Sequence, residues 1–194
     1  MVRPGDNPFR SARVDALGYR FIDEDEDEAT IRRRWEAAGR RGAVIGPHGH
    51  GKTTLTLRLA PDDALRFQVH ADDASNRAEL RKAVRHFRGV LVIDGYDLLG
   101  PIDQWRVGRR RGPVLVTSHR GTRLPTVAVC RTSPALLHEL IGELSPATAD
   151  RLGETGVSDL FGRHGGNVRD ALRELYDRTA TGEFGIAPQA ATTP

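Results

Sequence analysis

The sequence predicts an α/β protein in which a parallel sheet of about five strands is flanked by helices. Short apolar runs rich in β-branched residues alternate with helical patterns between residues 42 and 131. A glycine-rich loop, GPHGHGKTT, follows the first of these runs and precedes a helix pattern. Beyond residue 131 the chain contains helix patterns without strand patterns, which predicts a small C-terminal helical region.

The predicted elements alternate along the chain. We expect strands at 42–46, 65–70, 90–94, 113–119 and 126–131, and helices at 26–39, 52–59 and 75–87. Another helix is expected between the third and fourth strands, where Trp105 should pack it. The runs at 90–94 and 113–119 are apolar enough to be buried on both faces of the sheet.

Four segments are predicted. They are an N-terminal extension at 1–25, a core at 26–132, a helical lid at 133–180 and a flexible tail at 181–194. The acidic run DEDEDE at 23–28 fits a solvated helix cap, because carboxylates favour the positive end of a helix dipole. An acidic binding site is the alternative for this run.

Composition limits the function classes. The chain has a net charge of +3 and a single cysteine among 194 residues, so it contains no internal disulfide framework. The weak positive charge does not indicate a nucleic-acid partner, although it leaves one open. We expect a cytoplasmic protein that does not enter a membrane, because the N-terminus lacks an apolar signal and no run approaches roughly 18 apolar residues.

The glycine-rich loop matches the pattern G-x-x-x-x-G-K-[ST]. Its glycines let backbone amides surround phosphate oxygens, its lysine neutralises the β- and γ-phosphates, and its hydroxyl ligates Mg²⁺. The predicted nucleotide-binding residues are Gly46, Pro47, His48, Gly49, His50, Gly51, Lys52, Thr53 and Thr54. Two alternatives to nucleotide binding remain for this loop: a metal site at His48 and His50, or a glycine turn without a ligand.

Asp94 ends the apolar run VLVID, where a metal-side carboxylate is expected if the loop binds a nucleotide. We expect Asp94 to hold Mg²⁺ through water, with Thr53 on the other side of the ion.

Three motifs in this order, GPHGHGKT, VLVIDG and VLVTSH, resemble the Walker A, Walker B and sensor-1 segments of the additional-strand P-loop ATPases. This division of P-loop NTPases contains the AAA+ and STAND proteins. The resemblance implies ATP and Mg²⁺ as cofactors and a sensor-1 strand between the two Walker strands. Thr117 and Ser118 would then face the γ-phosphate; capping of the strand end is their alternative role.

The segment GGNVRDALRELY is similar to the sensor-2 helix of an AAA+ lid. The resemblance implies that Arg169 reaches the bound nucleotide. An ordinary surface arginine is the alternative.

The chain departs from this family in two places. Gly95 stands where most members have the glutamate that polarises the attacking water, and Asp97 is the candidate substitute. Only RGTRLP separates the last two strands, which leaves room for a loop and not for an arginine-finger helix. Arg120 resembles the arginine that follows sensor 1 in STAND proteins, and a hexameric ring is not expected.

The sequence therefore favours an ATP-binding ATPase whose nucleotide state moves the helical lid, with Lys52, Asp94, Asp97, Thr117, Ser118 and Arg169 as catalytic candidates. A non-hydrolysing ATP sensor that signals to a protein partner is the first alternative, and a small-molecule kinase is the second. The basic stretch RVGRRRG at 106–112, with Arg109–Arg111, fits an exposed turn, a nucleic-acid contact or a kinase lid.

Overall fold

The computed structural model describes residues 3–23, 25–70 and 73–184. These residues form two compact units. One contains residues 21–131, and the other contains the described residues of 1–20 and 132–194.

One parallel sheet of five strands organises the unit of residues 21–131. Its strands are β1 (Arg41–Ile45), β2 (Leu65–Gln68), β3 (Leu91–Asp94), β4 (Val114–Ser118) and β5 (Thr126–Val129). Every predicted strand is present, with ends shifted by at most two residues. The predicted α/β fold, a five-stranded parallel sheet flanked by helices, is confirmed.

Eight α-helices lie in the described residues. They are α1 (Ser11–Asp15), α2 (Glu28–Ala37), α3 (Lys52–Leu59), α4 (Ala74–His86), α5 (Pro101–Gly108), α6 (Pro134–Leu144), α7 (Pro146–Arg163) and α8 (Val168–Ala180). Short 3₁₀ helices occur at Pro4–Asp6 and Tyr96–Leu98. Non-helical geometry at Gly153 interrupts α7.

The strand order β2-β3-β4-β1-β5 places β4 between β1 and β3. Ile45 pairs with Ser118, and Ile93 pairs with Val116. Because all these strands are parallel, their carboxyl ends meet at one edge of the sheet, where ligands bind in open α/β folds. The glycine-rich loop, Asp94 and Ser118 all lie at this edge.

The three central strands supply the core of this unit. Their β-branched and aliphatic side chains are excluded from water. The fully buried residues include Ala43, Leu91, Ile93, Val114 and Val116. Fully burying a valine or leucine side chain contributes about 1.5–3 kcal/mol. The edge strand β2 is largely exposed, which limits its contribution.

The acidic run before α2 behaves as a helix cap where it is described. The Asp27 carboxylate accepts a hydrogen bond from the Thr30 amide at 2.7 Å. Glu28 forms ion pairs with Arg32 and Arg58. Glu24 lies outside the described residues.

The basic stretch at 106–112 differs from the predicted exposed turn at Arg110. This side chain is only 4% exposed, and its guanidinium donates to the carbonyl oxygens of Ala83 and Gly89 at 2.9 and 2.7 Å. Arg109 is exposed and lies 5.2 Å from the ring centroid of Trp105. Trp105 itself is 53% exposed, so the prediction that it packs α5 is wrong.

The second unit has its own apolar core, formed by α6, α7 and α8 with the N-terminal segment. Phe9 is buried in this core, and the Asn7 side-chain amide donates to the Tyr176 carbonyl at 2.9 Å. The predicted N-terminal extension therefore contributes to this unit up to residue 20. Phe184 is buried against the same core, and the remaining residues of the predicted tail, 185–194, lie outside the described residues.

None of the helices in the described residues is both long and apolar enough to cross a lipid bilayer.

Candidate functional site

The glycine-rich loop leaves β1 where two backbone segments approach closely. At Gly46, φ is 153°, and an added Cβ would lie 2.6 Å from the carbonyl oxygen of Cys130. A larger residue at this position would collide with backbone, so the close approach requires glycine. Gly49 and Gly51 adopt φ values of 71° and 78°, which let the loop turn into the first residue of α3.

Several amide groups of the loop remain available as donors. Among the backbone hydrogen bonds of the described residues, none has the amide of Gly49 or Gly51 as its donor. The amides of Thr53 and Thr54 belong to the first turn of α3, where an intrahelical acceptor does not exist. Free amides at a helix N-terminus form an anion-binding site, because the helix dipole adds to their positive charge.

Lys52 is 7% exposed and lies against the backbone of the same loop. Its Nζ donates to the carbonyl oxygen of Pro47 at 2.7 Å. An ammonium forms stronger hydrogen bonds with an anionic phosphate oxygen than with a neutral carbonyl. The side chain is therefore positioned to exchange this contact for a phosphate contact.

Hydrogen bonds join the ends of α3, β3 and β4 at Asp94. One carboxylate oxygen, Oδ2, accepts from the Thr53 hydroxyl at 2.9 Å, and the other accepts from the Thr117 hydroxyl. The Gly95 amide donates to the Thr117 oxygen at 3.0 Å. This cluster brings together the two predicted Mg²⁺ ligands.

The chemistry of this pair fits magnesium. Hydroxyl and carboxylate oxygens are hard ligands, and Mg²⁺ usually keeps several waters and takes phosphate oxygens alongside one or two protein ligands. Thr53 and Asp94 are the residues that would hold the ion.

The histidines of the loop make other contacts. In the part of the chain that the structure describes, no three His, Cys, Asp or Glu side chains are grouped so that they could hold a metal ion. His50 Nδ1 lies 2.8 Å from the backbone oxygen of His48, and the His48 ring stacks on His119.

Thr117 and Ser118, the predicted γ-phosphate sensors, are each 1% exposed. Thr117 is held by Asp94, and the Ser118 hydroxyl accepts from the Arg120 amide at 3.3 Å. Both hydroxyls therefore have partners within the chain, as the capping alternative expects. Their sensor role stays a prediction.

Asp97 lies in the 3₁₀ helix after β3 and pairs with His119, for which the sequence predicts no role. Its Oδ2 lies 2.9 Å from Nδ1 of His119, the residue directly after β4. Burial would raise the pKa of Asp97, but hydrogen bonds from the His119 side chain and from backbone amides, with the charge of His119, outweigh burial, so the pKa of Asp97 is lowered. The histidine of VLVTSH was visible in the sequence, since it follows the predicted sensors at the same sheet edge.

Arg169, the predicted sensor-2 arginine, lies in the first turn of α8 and is exposed. Asn167 caps this helix by accepting from the Asp170 amide. Arg169 belongs to the helical unit, and the glycine-rich loop belongs to the unit of residues 21–131. The contact of Arg169 with a nucleotide stays a prediction.

Comparison with known proteins shows little similarity. No protein-family model matches the chain, and no curated protein matches it. Among solved structures, the chain is similar to a signal transduction ATPase with numerous domains (STAND), a protein with a tetratricopeptide repeat sensor from Pyrococcus horikoshii. The identity is 14% and the TM-score is 0.40 over 78% of this chain. The chain spans 29% of the length of that protein.

Proposed function

We propose that this protein binds a nucleoside triphosphate with Mg²⁺ at the carboxyl edge of its sheet, and that ATP is the nucleotide. The contact of 2.9 Å between Thr53 Oγ1 and Asp94 Oδ2, beside a loop with free amides, carries this proposal. It joins a hydroxyl and a carboxylate suited to Mg²⁺ with donors suited to phosphate. The choice of ATP rests on the sequence resemblance.

Each part of the site has a stated role. The loop amides would surround the β-phosphate, and Lys52 would neutralise charge on the β- and γ-phosphates. Thr53 would ligate Mg²⁺ directly, and Asp94 would hold it through water. The Asp94–Thr117 hydrogen bond would fix the orientation of that carboxylate.

Hydrolysis of the bound ATP is the reaction we propose. Two observations also support the alternative of a sensor that retains ATP. The residue directly after Asp94 is Gly95, which has no carboxylate, and the Asp97 carboxylate is hydrogen-bonded to His119. Release of inorganic phosphate from Mg-ATP without an added acceptor separates the two functions. A kinase would turn over only when an acceptor is supplied.

We further propose that nucleotide state is coupled to the helical unit through Arg169. Its exposed position in the first turn of α8 leaves its guanidinium accessible. A coupling of this kind requires that ATP and ADP interact differently with the two states.

Replacement of Lys52 tests the binding site. We expect Lys52→Ala to weaken the affinity for Mg-ATP at least about tenfold, because charge-assisted contacts to phosphate are lost. Lys82→Ala is the matched control, since Lys82 is the only other lysine and is exposed on α4. Isothermal titration calorimetry of both variants provides the measurement. An unchanged dissociation constant for Lys52→Ala would contradict the proposed site.

A further inference from the structure

An aspartate–histidine pair, Asp97 and His119, lies at the same sheet edge as the glycine-rich loop. His119 Nδ1 and Asp97 Oδ2 are 2.9 Å apart, and the two side chains are 25% and 27% exposed. The ring of His119 also stacks on His48, with a centroid distance of 3.6 Å and an angle of 31° between the rings. His119 is therefore in contact with both the turn after β3 and the loop that would hold the phosphates.

The position directly after Asp94 is closed to a water-polarising side chain. Gly95 has a φ of 83°, and an added Cβ would lie 3.1 Å from the carbonyl oxygen of Val69. A glutamate there would meet both backbone strain and a close contact. Any group that accepts a proton from water at this site must come from another position.

The hydrogen bond to Asp97 selects the form of the His119 ring. An ionised carboxylate only accepts hydrogen bonds, so Nδ1 of His119 must be the donor. The neutral ring then has its lone pair on Nε2, where it can accept a proton. The other oxygen of Asp97, Oδ1, is buried with no hydrogen-bond partner in the described residues, so His119 is the side chain that the Asp97 carboxylate contacts.

We propose that His119 is the general base for hydrolysis of the bound nucleoside triphosphate, and that Asp97 is its positioning residue. This inference rests on the proposed function. The water oxygen forms a bond to the γ-phosphorus while the bond from that phosphorus to the β–γ bridging oxygen breaks. The bridging oxygen leaves with the nucleoside diphosphate, and the proton of the water passes to Nε2 of His119 and then to solvent.

This assignment differs from a role of Asp97 as the direct water-polarising group. If Asp97 acts through His119, its replacement has an effect only while the histidine is present. If Asp97 contacts the water itself, its replacement lowers the rate by the same factor with and without the histidine. A double-mutant cycle on kcat separates these two cases.

The cycle uses the full chain with His119→Asn, Asp97→Asn, the double variant and His70→Gln as the control. His70 is exposed after β2. Phosphate release from Mg-ATP gives kcat, and calorimetric titration gives the nucleotide Kd for each protein. We expect His119→Asn to lower kcat by about 10²-fold or more while Kd stays within about twofold, as for loss of a general base. As a single substitution, Asp97→Asn should lower kcat. In the His119→Asn background, it should cause no further loss of kcat.

Three results would overturn the proposal: wild-type kcat in His119→Asn, equal losses from Asp97→Asn in both backgrounds, or a wild-type chain that binds Mg-ATP without releasing phosphate. A wild-type chain that does not bind Mg-ATP would instead contradict the proposed function. If the melting temperature shows that His119→Asn does not fold, Asp97→Asn alone decides, and a wild-type kcat in that variant overturns the proposal.

Discussion

Gly95, directly after β3, is a residue whose backbone conformation excludes most side chains. Its amide donates to Thr117, which ties the backbone after β3 to the end of β4. Its φ of 83° lies in the left-handed region, and the carbonyl of Val69 leaves little room for a side chain. A glutamate at this position would be strained, so in the proposed hydrolysis the proton acceptor would be another residue.

Replacement of Gly95 by alanine should destabilise the unit of residues 21–131. We expect a loss of about 1–3 kcal/mol in the free energy of unfolding, because a non-glycine residue is strained in this conformation. Urea unfolding followed by tryptophan fluorescence measures the change, since Trp35 and Trp105 both lie in this unit.

Gly108→Ala is the control for this change. Nothing lies within 4 Å of a Cβ added at Gly108, which ends α5. Alanine should be neutral or slightly stabilising there. Equal effects of the two substitutions would show that Gly95 is not under conformational constraint.

The sequence was sufficient to pair Thr53 with Asp94, because a motif and an apolar strand each predict one partner. It was not sufficient to pair Asp97 with His119. That contact depends on the 3₁₀ helix at Tyr96–Leu98 and on the end of β4, and no pattern in the sequence encodes their relative position. Residue types were thus enough to predict that Thr53 and Asp94 lie together, whereas the contact between Asp97 and His119 required the folded backbone.

At the scale of elements, an ion-pair cluster joins α4 to α5. Asp103 of α5 is 8% exposed and accepts from Arg81 of α4 with both carboxylate oxygens, at 3.0 and 2.8 Å. Arg106 also donates to Asp103, at 2.9 Å. The hydrogen bond from Arg81 is the main cause of the lowered pKa of Asp103, and burial opposes it.

Asp103→Asn should destabilise the protein at neutral pH and have no effect in strong acid. The pKa of Asp103 is lower in the folded state than the ordinary value of 3.8, so its ion pairs contribute fully above that value and are lost as the pH falls through the folded-state pKa. We expect a loss of about 1 kcal/mol at pH 7, because Arg81 is half-exposed and solvent screens the pair.

Urea unfolding at a series of pH values checks this prediction. Asp62→Asn is the control, since Asp62 is exposed in the loop before β2 and should give wild-type stability at every pH. A destabilisation by Asp103→Asn that persisted unchanged well below pH 3.8 would contradict the ionic explanation.

Helices and strands could be predicted where their own side chains form an apolar or periodic pattern. Runs such as VLVID and PVLVTSH carry their strand signal in their own side chains, so all the strands were predicted. The burial of Arg110 could not be predicted, because its guanidinium donates to the carbonyl oxygens of Ala83 and Gly89, which are distant in sequence. The five residues of α1 are too few to show a helical period.

At the scale of the whole molecule, the first residues of the chain belong with its last helices. Phe9 and Asn7 contribute to the helical unit, although their sequence has no periodic pattern. The helical unit therefore includes an N-terminal part in addition to the predicted segment 133–180, and the sequence did not reveal it. Its core combines residues before and after the unit of residues 21–131.

Coupling of nucleotide state to the helical unit predicts a specific exchange signature in the full chain. We expect Mg-ATP, but not Mg-ADP, to slow amide hydrogen exchange in α6, α7 and α8, because a contact from Arg169 to the γ-phosphate would favour one state of this unit. Arg169→Ala should abolish this difference while leaving the affinity for Mg-ADP unchanged. Arg173→Ala is the matched control, since Arg173 is also exposed on α8. The same ATP-dependent protection in Arg169→Ala as in the wild type would exclude Arg169 as the coupling residue.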